Sequence, residues 1–298
     1  MGPTGAGKSA LALAIAQSRP AVIINADAMQ MVADLRILTA RPTVAEEAMA
    51  EHALYGVLRA EEPTSVARWL ALAEPVIRRA WAEGKLPLLV GGTGMYVKAL
   101  AEGLAAVPPI PPPIREEIRA LSTEAIRAAL EVCDPAMAAA LKPGDTQRNA
   151  RALEVMRATG TSLADWQGRA AAPLFPEARF HYFAVSHPRE EIYRRIDARF
   201  LAMMAAGAVE EVQDLYESKN TRIREDANAH VTSLPPIFRA HGVPELAAYL
   251  RGEMSREAAI TKAQQNTRNY AKRQITWLRN QLPEVAMVQQ VAQIVRAL

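Results

Sequence analysis

The sequence predicts an α/β fold, a parallel sheet flanked by helices, with an all-helical insertion. Three observations predict it. The chain opens on Gly2-Pro3-Thr4-Gly5-Ala6-Gly7-Lys8-Ser9, which fits G-x-x-x-x-G-K-[ST] and runs directly into apolar helical positions at Leu11, Leu13, Ala14 and Ile15. Two short apolar runs, Ala21 to Ile24 and Leu86 to Val90, read as buried strands. Five prolines in the seven residues Val107 to Pro113 then break the composition, and the chain beyond them, to about Pro176, reads as helical.

The opening motif is a P-loop, so the core is expected to be P-loop NTPase-like. Its glycines let successive backbone N–H groups turn inward, and the helix that follows adds the positive end of its dipole. Lys8 contributes a point charge and Ser9 a hydroxyl for Mg²⁺. Thr4, Gly5, Ala6, Gly7, Lys8 and Ser9 are therefore the candidate ligands of two linked phosphates, with Ser9 the metal ligand. A P-loop ordinarily follows a buried strand, and here only Met1 precedes Gly2. A strand of about five to eight apolar residues is expected before it. Either that strand is missing from the sequence, or a Met at its end was taken as the start.

Composition bounds the rest. The 298 residues allow one or two domains, and 50% hydrophobic with 22% charged residues reads as globular and soluble. No apolar run reaches the length of a membrane span, and no signal peptide is visible. The single cysteine, Cys133, excludes an internal disulfide and a cysteine-based metal site. A cytoplasmic monomer is expected. A net charge of +3 does not announce nucleic acid, so the distribution of charge matters more than its sum.

In chain order, the first strand ends in Asn25-Ala26-Asp27-Ala28-Met29-Gln30. Functional groups collect at the carboxyl ends of parallel strands, which places Asp27 toward the phosphate site as a metal-water ligand or a base. The plainer reading is an Asp capping the next turn. Thr64 is expected to cap a helix running to about Glu83, interrupted or kinked at Pro75, with Val66, Trp69, Leu70, Ala73, Val76, Ile77 and Ala80 on its apolar face. The second strand ends in Gly91-Gly92-Thr93-Gly94, which permits close backbone approach to a ligand and offers a hydroxyl.

The domain plan is a first core segment over residues 1–106, a helical insertion over 107–178, and a second core segment over 179–298. Within the insertion, Gln147 and Arg151 share a helix face. Strand character returns at Phe180 to Val185, followed by a helix carrying Arg189, Arg194, Arg195 and Arg199, a candidate source of a second phosphate-binding cation. Lys219 to Ser233 is polar and aperiodic and reads as a loop. From Ala258 to Pro283 a long helix carries Lys262, Arg268, Lys272, Arg273 and Arg279 with no Asp or Glu. Asn266, Asn269, Tyr270, Gln274 and Trp277 lie between them, a pattern equally suited to an RNA phosphate track and to a solvated face.

Seven stretches, taken in order, resemble the tRNA dimethylallyltransferases, also called tRNA isopentenyltransferases. They are Gly2 to Ser9, Asn25 to Gln30, Leu35 to Pro42, Leu88 to Tyr96, Gln147 to Val155, Arg195 to Phe200 and Thr267 to Gln274. The resemblance implies transfer of a dimethylallyl group from dimethylallyl diphosphate to the exocyclic nitrogen N6 of the adenosine at tRNA position 37, with release of diphosphate. It implies Asp27 as the base and Thr93 and Arg199 as part of the diphosphate clamp. It also implies Asp27, Ala28, Met29 and Gln30 against the target base, and Gln147, Arg148, Asn149, Ala150 and Arg151 against neighbouring nucleotides of the anticodon stem-loop. The helical insertion becomes an arm for tRNA.

The sequence departs from that pattern at Ala28, where the family usually has Ser, at Val32, where Tyr is common, and between Lys219 and His241. Two other readings share the P-loop: a small-molecule kinase using ATP, and an RNA-binding relic without activity.

Overall fold

The structure is a computed structural model that describes residues 1–169, 172–218, 235–282, 285–288 and 294. It divides into two compact units, Met1–Ala99 with Glu177–Leu298, and Leu100–Pro176.

The first unit begins with the P-loop and α1 (Lys8–Ser18), then β1 (Ala21–Asn25), α2 (Val44–Met49), β2 (Glu51–Ala53), α3 (Val66–Ala82), β3 (Leu86–Val90) and α4 (Gly94–Glu102). The three strands form a parallel sheet in the order β2-β1-β3. All five residues of β1 are buried, because a strand covered on both faces needs no polar alternation. Ala21 pairs with Leu86 and Asn25 with Val90, so the two strands end level. Pairing runs on into the loops: Ala26 N–H donates to Val90 O at 2.8 Å and Thr93 N–H to Ala26 O at 3.1 Å. Gly91 is what permits this approach, since a Cβ there would sit 2.0 Å from Ala26 O. The loops carrying Asp27 and Thr93 are thereby held side by side.

Helix α3 buries Trp69, Ala73, Ile77 and Ala80, the apolar face its periodicity predicts. Its cap is Ser65, one residue beyond the expected Thr64; the Ser65 hydroxyl accepts from Arg68 N–H at 3.1 Å. The helix runs unbroken through Pro75. Pro75 lies on the exposed face, where the carbonyl it leaves unpaired meets water. The Trp69 indole donates to Asn25 O at 2.7 Å and its ring stacks on Tyr96 at 4.8 Å, fixing α3 under the end of β1.

The second unit is all-helical: α5 (Pro112–Arg119), α6 (Thr123–Cys133), α7 (Pro135–Ala140), α8 (Thr146–Thr159) and α9 (Leu163–Gly168). Its core joins Ile118, Ile126, Leu130, Ala138, Leu153 and Val155. The proline-rich stretch is shorter than expected as a linker. Pro112 and Pro113 open α5, where first-turn N–H groups have no helical partner to lose.

The chain returns through β4 (Phe183–Val185), α10 (Arg189–Ala205), α11 (Ala208–Ser218), α12 (Val243–Leu250), α13 (Arg256–Gln281) and β5 (Ala286–Val288). Strands β4 and β5 pair in parallel as a separate two-stranded sheet. Met1 pairs with β4: its ammonium donates to Phe183 O at 2.8 Å and its carbonyl accepts from Val185 N–H at 2.9 Å. Leu88 of β3 packs with Val185, Val288 and Ala6 in one apolar cluster. Helices α10 to α13 close over a larger core that includes Leu35, Phe200, Val212, Leu246 and Ala263.

The expected loop from Lys219 to Ser233 lies outside the described residues. No helix among those described is long and apolar enough to cross a membrane.

Candidate active site

The P-loop turns on Gly5 and Gly7, whose φ values of 82° and 86° belong to the left-handed region that glycine adopts without strain. Gly7 caps α1 without a side chain, so no capping side chain takes up the first N–H groups of that helix. Lys8 folds back so that its ammonium donates to Pro3 O at 2.9 Å. Its pKa is lowered to about 8, mainly by burial, which the charge of Asp27 opposes and that of Arg199 reinforces.

Arg199 reaches the loop from α10 and donates to the Thr4 hydroxyl. Burial lowers its pKa too, again against the attraction of Asp27. The other arginines of that helix are spent elsewhere. Arg194 and Arg195 pair with Glu191, and Arg195 also meets His187 at 3.1 Å. Among the described residues Arg199 is the member of this arginine-rich helix hydrogen-bonded to the P-loop, and Arg195 lies beside it, its Nη1 3.9 Å from where a Cβ on Gly7 would stand.

Asp27 lies at the carboxyl end of β1. Its Oδ1 accepts from Met29 N–H at 3.1 Å, so the capping reading holds for one oxygen. Oδ2 has no hydrogen bond among the described residues and lies toward Gly92, whose Cβ position would be 3.5 Å away. Asn25, fully buried, builds this turn. Its side chain accepts from Asp27 N–H at 2.8 Å and donates to Asp27 O and Leu54 O. Thr93 Oγ accepts from Ala28 N–H at 3.1 Å, which leaves its own proton to donate. The Gln30 amide donates to Thr39 O and Ala40 O, so its nitrogen braces the Leu35 to Pro42 segment. Glu211 braces the same segment from α11 by accepting from the N–H groups of Arg36, Ile37 and Leu38.

Helix α13 closes the site. Gln274, 7% exposed, accepts from Thr4 N–H at 2.8 Å and donates to Gly92 O at 3.2 Å. Trp277 packs where a Cβ on Gly94 would stand. Tyr270 lies 4.7 Å from the His241 ring, and burial together with the Asp27 charge raises the Tyr270 pKa. Burial and Arg273 lower that of His241. On the outer side of α13, Lys262, Lys272, Arg273 and Arg279 are exposed. Arg268 is not one of this set, because it is ion-paired to Asp197 at 2.6 Å.

In the helical unit, Gln147 and Arg148 are exposed near the start of α8 and Arg151 is half-exposed. Asn149, by contrast, is fully buried. Its amide donates to Lys142 O and Asp145 O and its oxygen meets Arg127, so it anchors the preceding loop and presents nothing to solvent. Ala150 packs against the unit's apolar core.

Glu211 is marked by no local pattern, and Gln274 only as one amide of the basic helix at the end of a matching stretch, with nothing to say what it holds. Each acts on a loop 173 or more positions away. Asn25, in contrast, shows its signal in the sequence: a polar residue closing an apolar strand, two before an Asp.

This arrangement has close parallels among known proteins. The family model "IPP transferase" matches residues 30–281, and the model "Isopentenyl transferase" matches residues 1–55. A tRNA dimethylallyltransferase of Rhodospirillum centenum is 50% identical over 94% of this chain and 87% of its own length. One from Nitrobacter hamburgensis is 48% identical over 95% and 87%. Among solved structures, the full-length tRNA isopentenylpyrophosphate transferase of Bacillus halodurans superposes with a TM-score of 0.69 at 28% identity, covering 99% of this chain and 93% of that one. A eukaryotic dimethylallyltransferase acting on tRNA shares the fold with a TM-score of 0.79 at 23% identity. Matched by that family model over residues 30–281 and by relatives about half identical along almost its whole length, the chain belongs to the IPP transferase family.

Proposed function

We propose that the protein transfers a dimethylallyl group from dimethylallyl diphosphate to N6 of the adenosine at position 37 of tRNA, releasing diphosphate. The observation that carries this reading is the adjacency of two loops of opposite character. The P-loop with Lys8 and Arg199 is cationic and donor-rich, and the strand-end loop beside it presents the Asp27 carboxylate. The names of the relatives support the same reaction.

The chemistry follows from the charges. N6 attacks the allylic carbon, the carbon–oxygen bond to diphosphate breaks, and the amine proton passes to Asp27. An exocyclic amine on an aromatic ring is a weak base, so its proton leaves during or after attack. Loop N–H groups, Lys8, Arg199 and Thr93 stabilise charge as it grows on the departing diphosphate. The target base cannot react while stacked, so it is turned out toward Asp27, Ala28, Met29 and Gln30 at a cost of about a few kcal/mol.

A divalent metal fits the donor set. The Ser9 hydroxyl stands exposed on the first turn of α1, and no group of three or more His, Cys, Asp or Glu side chains gathers among the described residues. Such a site suits Mg²⁺, which keeps waters and takes phosphate oxygens rather than a protein cage. Held by Ser9, Mg²⁺ would supply charge neutralisation at the diphosphate.

The helical insertion serves as an arm for the anticodon stem-loop through Gln147, Arg148 and Arg151, and the exposed cations of α13 track its phosphates. The protein acts as a monomer on tRNA in the cytoplasm.

A single-turnover reaction with an anticodon stem-loop, dimethylallyl diphosphate and Mg²⁺ tests the proposal. The expected product is the N6-prenylated adenosine, seen as a mass gain of one dimethylallyl group. RNA binding without that product sinks the reading in favour of a relic, and phosphoryl transfer from ATP without it sinks the reading in favour of a kinase.

A further inference from the structure

Gln274 uses both ends of its amide on two different loops. Its oxygen takes the Thr4 N–H of the P-loop at 2.8 Å, and its nitrogen donates to Gly92 O of the β3–α4 loop at 3.2 Å. Each loop passes the contact on to a reacting group. The Thr4 hydroxyl accepts from Arg199, and Thr93, next to Gly92, accepts from Ala28 N–H beside Asp27. The side chain is 7% exposed, and space for it is reserved, since a Cβ on Gly92 would stand 2.0 Å from its nitrogen. An amide is the side chain suited to this place. A carboxylate would set a negative charge against Gly92 O, and an apolar isostere would leave both backbone groups unpaired.

We propose that Gln274 is a positioning residue for the transfer reaction, setting the register between the P-loop and the β3–α4 loop, whose Thr93 joins the diphosphate clamp and accepts from Ala28 N–H in the turn that carries Asp27. It rests on the function proposed above. The Gln274 amide is committed to these two loops, and the role proposed for it includes no contact with a reactant. It holds the P-loop and the β3–α4 loop at a fixed separation, and through Thr93 the Asp27 turn with them; a displacement of about 1 Å between reacting groups costs about a hundredfold in rate.

The test is Gln274→Met, Gly92→Ala and the double variant, assayed with saturating dimethylallyl diphosphate and anticodon stem-loop. For Gln274→Met the expected result is kcat lower by about a hundredfold, with the Kd for the stem-loop within about twofold of the wild-type value. A residue that serves only stability would lower the melting temperature and leave the kcat of the folded enzyme unchanged. Gly92→Ala should displace the amide and reproduce the defect. The double variant should be no worse than either single one, because one linkage is broken twice. A kcat for Gln274→Met within about threefold of wild type, a parallel loss of stem-loop affinity, or defects that multiply in the double variant would each overturn the proposal. If Gln274→Met does not fold, Gly92→Ala alone decides: unchanged kcat overturns it and a lowered kcat with intact RNA affinity upholds it. A wild-type protein that transfers nothing ends the functional reading itself, whereas an active wild type with an unimpaired Gln274→Met ends only this inference.

Discussion

At Asp27 and Lys8, one residue each on the two loops, the chemistry is most exposed to test. Asp27 spends Oδ1 on the Met29 N–H and keeps Oδ2 without a hydrogen bond among the described residues, toward Gly92. Asp27→Asn preserves the cap and removes the base, so stem-loop affinity should stay near wild type while single-turnover transfer falls by about 10²–10⁴-fold. Unchanged turnover would remove Asp27 from the mechanism. Lys8 yields a pH signature. Its pKa in the free protein is lowered to about 8, so the ammonium is charged below that pH and is lost as pH rises through it. A diphosphate needs the charged form and takes up a proton when it binds above pH 8. The Kd for dimethylallyl diphosphate should therefore be flat in this residue's contribution below pH 8 and weaken by up to about tenfold per pH unit above it. Lys8→Met should bind about ten- to a hundredfold more weakly at pH 7, from one lost charge-assisted hydrogen bond, and should lose that alkaline limb. Titration calorimetry across pH 6 to 10 reads both, and an alkaline limb that survives in Lys8→Met assigns it to another group.

Helix α8 places two kinds of polar residue next to each other. Arg148 is exposed with only a 3.5 Å pairing to Asp145, whereas Asn149 is buried and hydrogen-bonded to two loop carbonyls. Their spacing in sequence does not separate them, because Arg148 stands four residues before the buried Ala152 just as Asn149 stands four before the buried Leu153. The structure separates them by what each side chain touches. Asn149→Ala should destabilise the helical unit by about 1–3 kcal/mol, the cost of leaving buried carbonyls unpaired, and should leave donor binding alone. Arg148→Ala should leave the melting temperature unchanged, since an exposed pair contributes little, while weakening stem-loop binding. Thermal melts beside RNA titrations check the pair, and a melting loss in Arg148→Ala with none in Asn149→Ala would reverse the assignment.

For the whole molecule, the elements with strong local signals were legible in sequence: the P-loop, β1, β3, the apolar face of α3 and the long α13. Strands β2 and β5 were not, because three residues hold no period and pairing with a neighbour defines them. The linkages that organise the site were hidden for a related reason. Gln274 and Thr4 are 270 positions apart, and only the closed fold makes them partners. Charge shows the same division between pattern and fold. The net charge of +3 is small, and the five cations of α13 from Lys262 to Arg279 look alike in sequence. In the fold Arg268 is committed to Asp197, while Lys262, Lys272, Arg273 and Arg279 face solvent. If these exposed cations meet tRNA phosphates, each contact releases counterions, and log K against log salt should fall linearly with a slope of about 0.7–0.9 per contact. Lys272→Ala and Arg273→Ala should each flatten that line by close to one contact while weakening binding most at low salt. Arg268→Ala should lower stability and leave the slope as it was. Filter-binding of the stem-loop from low to moderate salt distinguishes these outcomes: a slope unmoved by Lys272→Ala and Arg273→Ala together would take α13 out of the RNA interface, and a slope reduced by Arg268→Ala would mean that its ion pair opens to admit a phosphate.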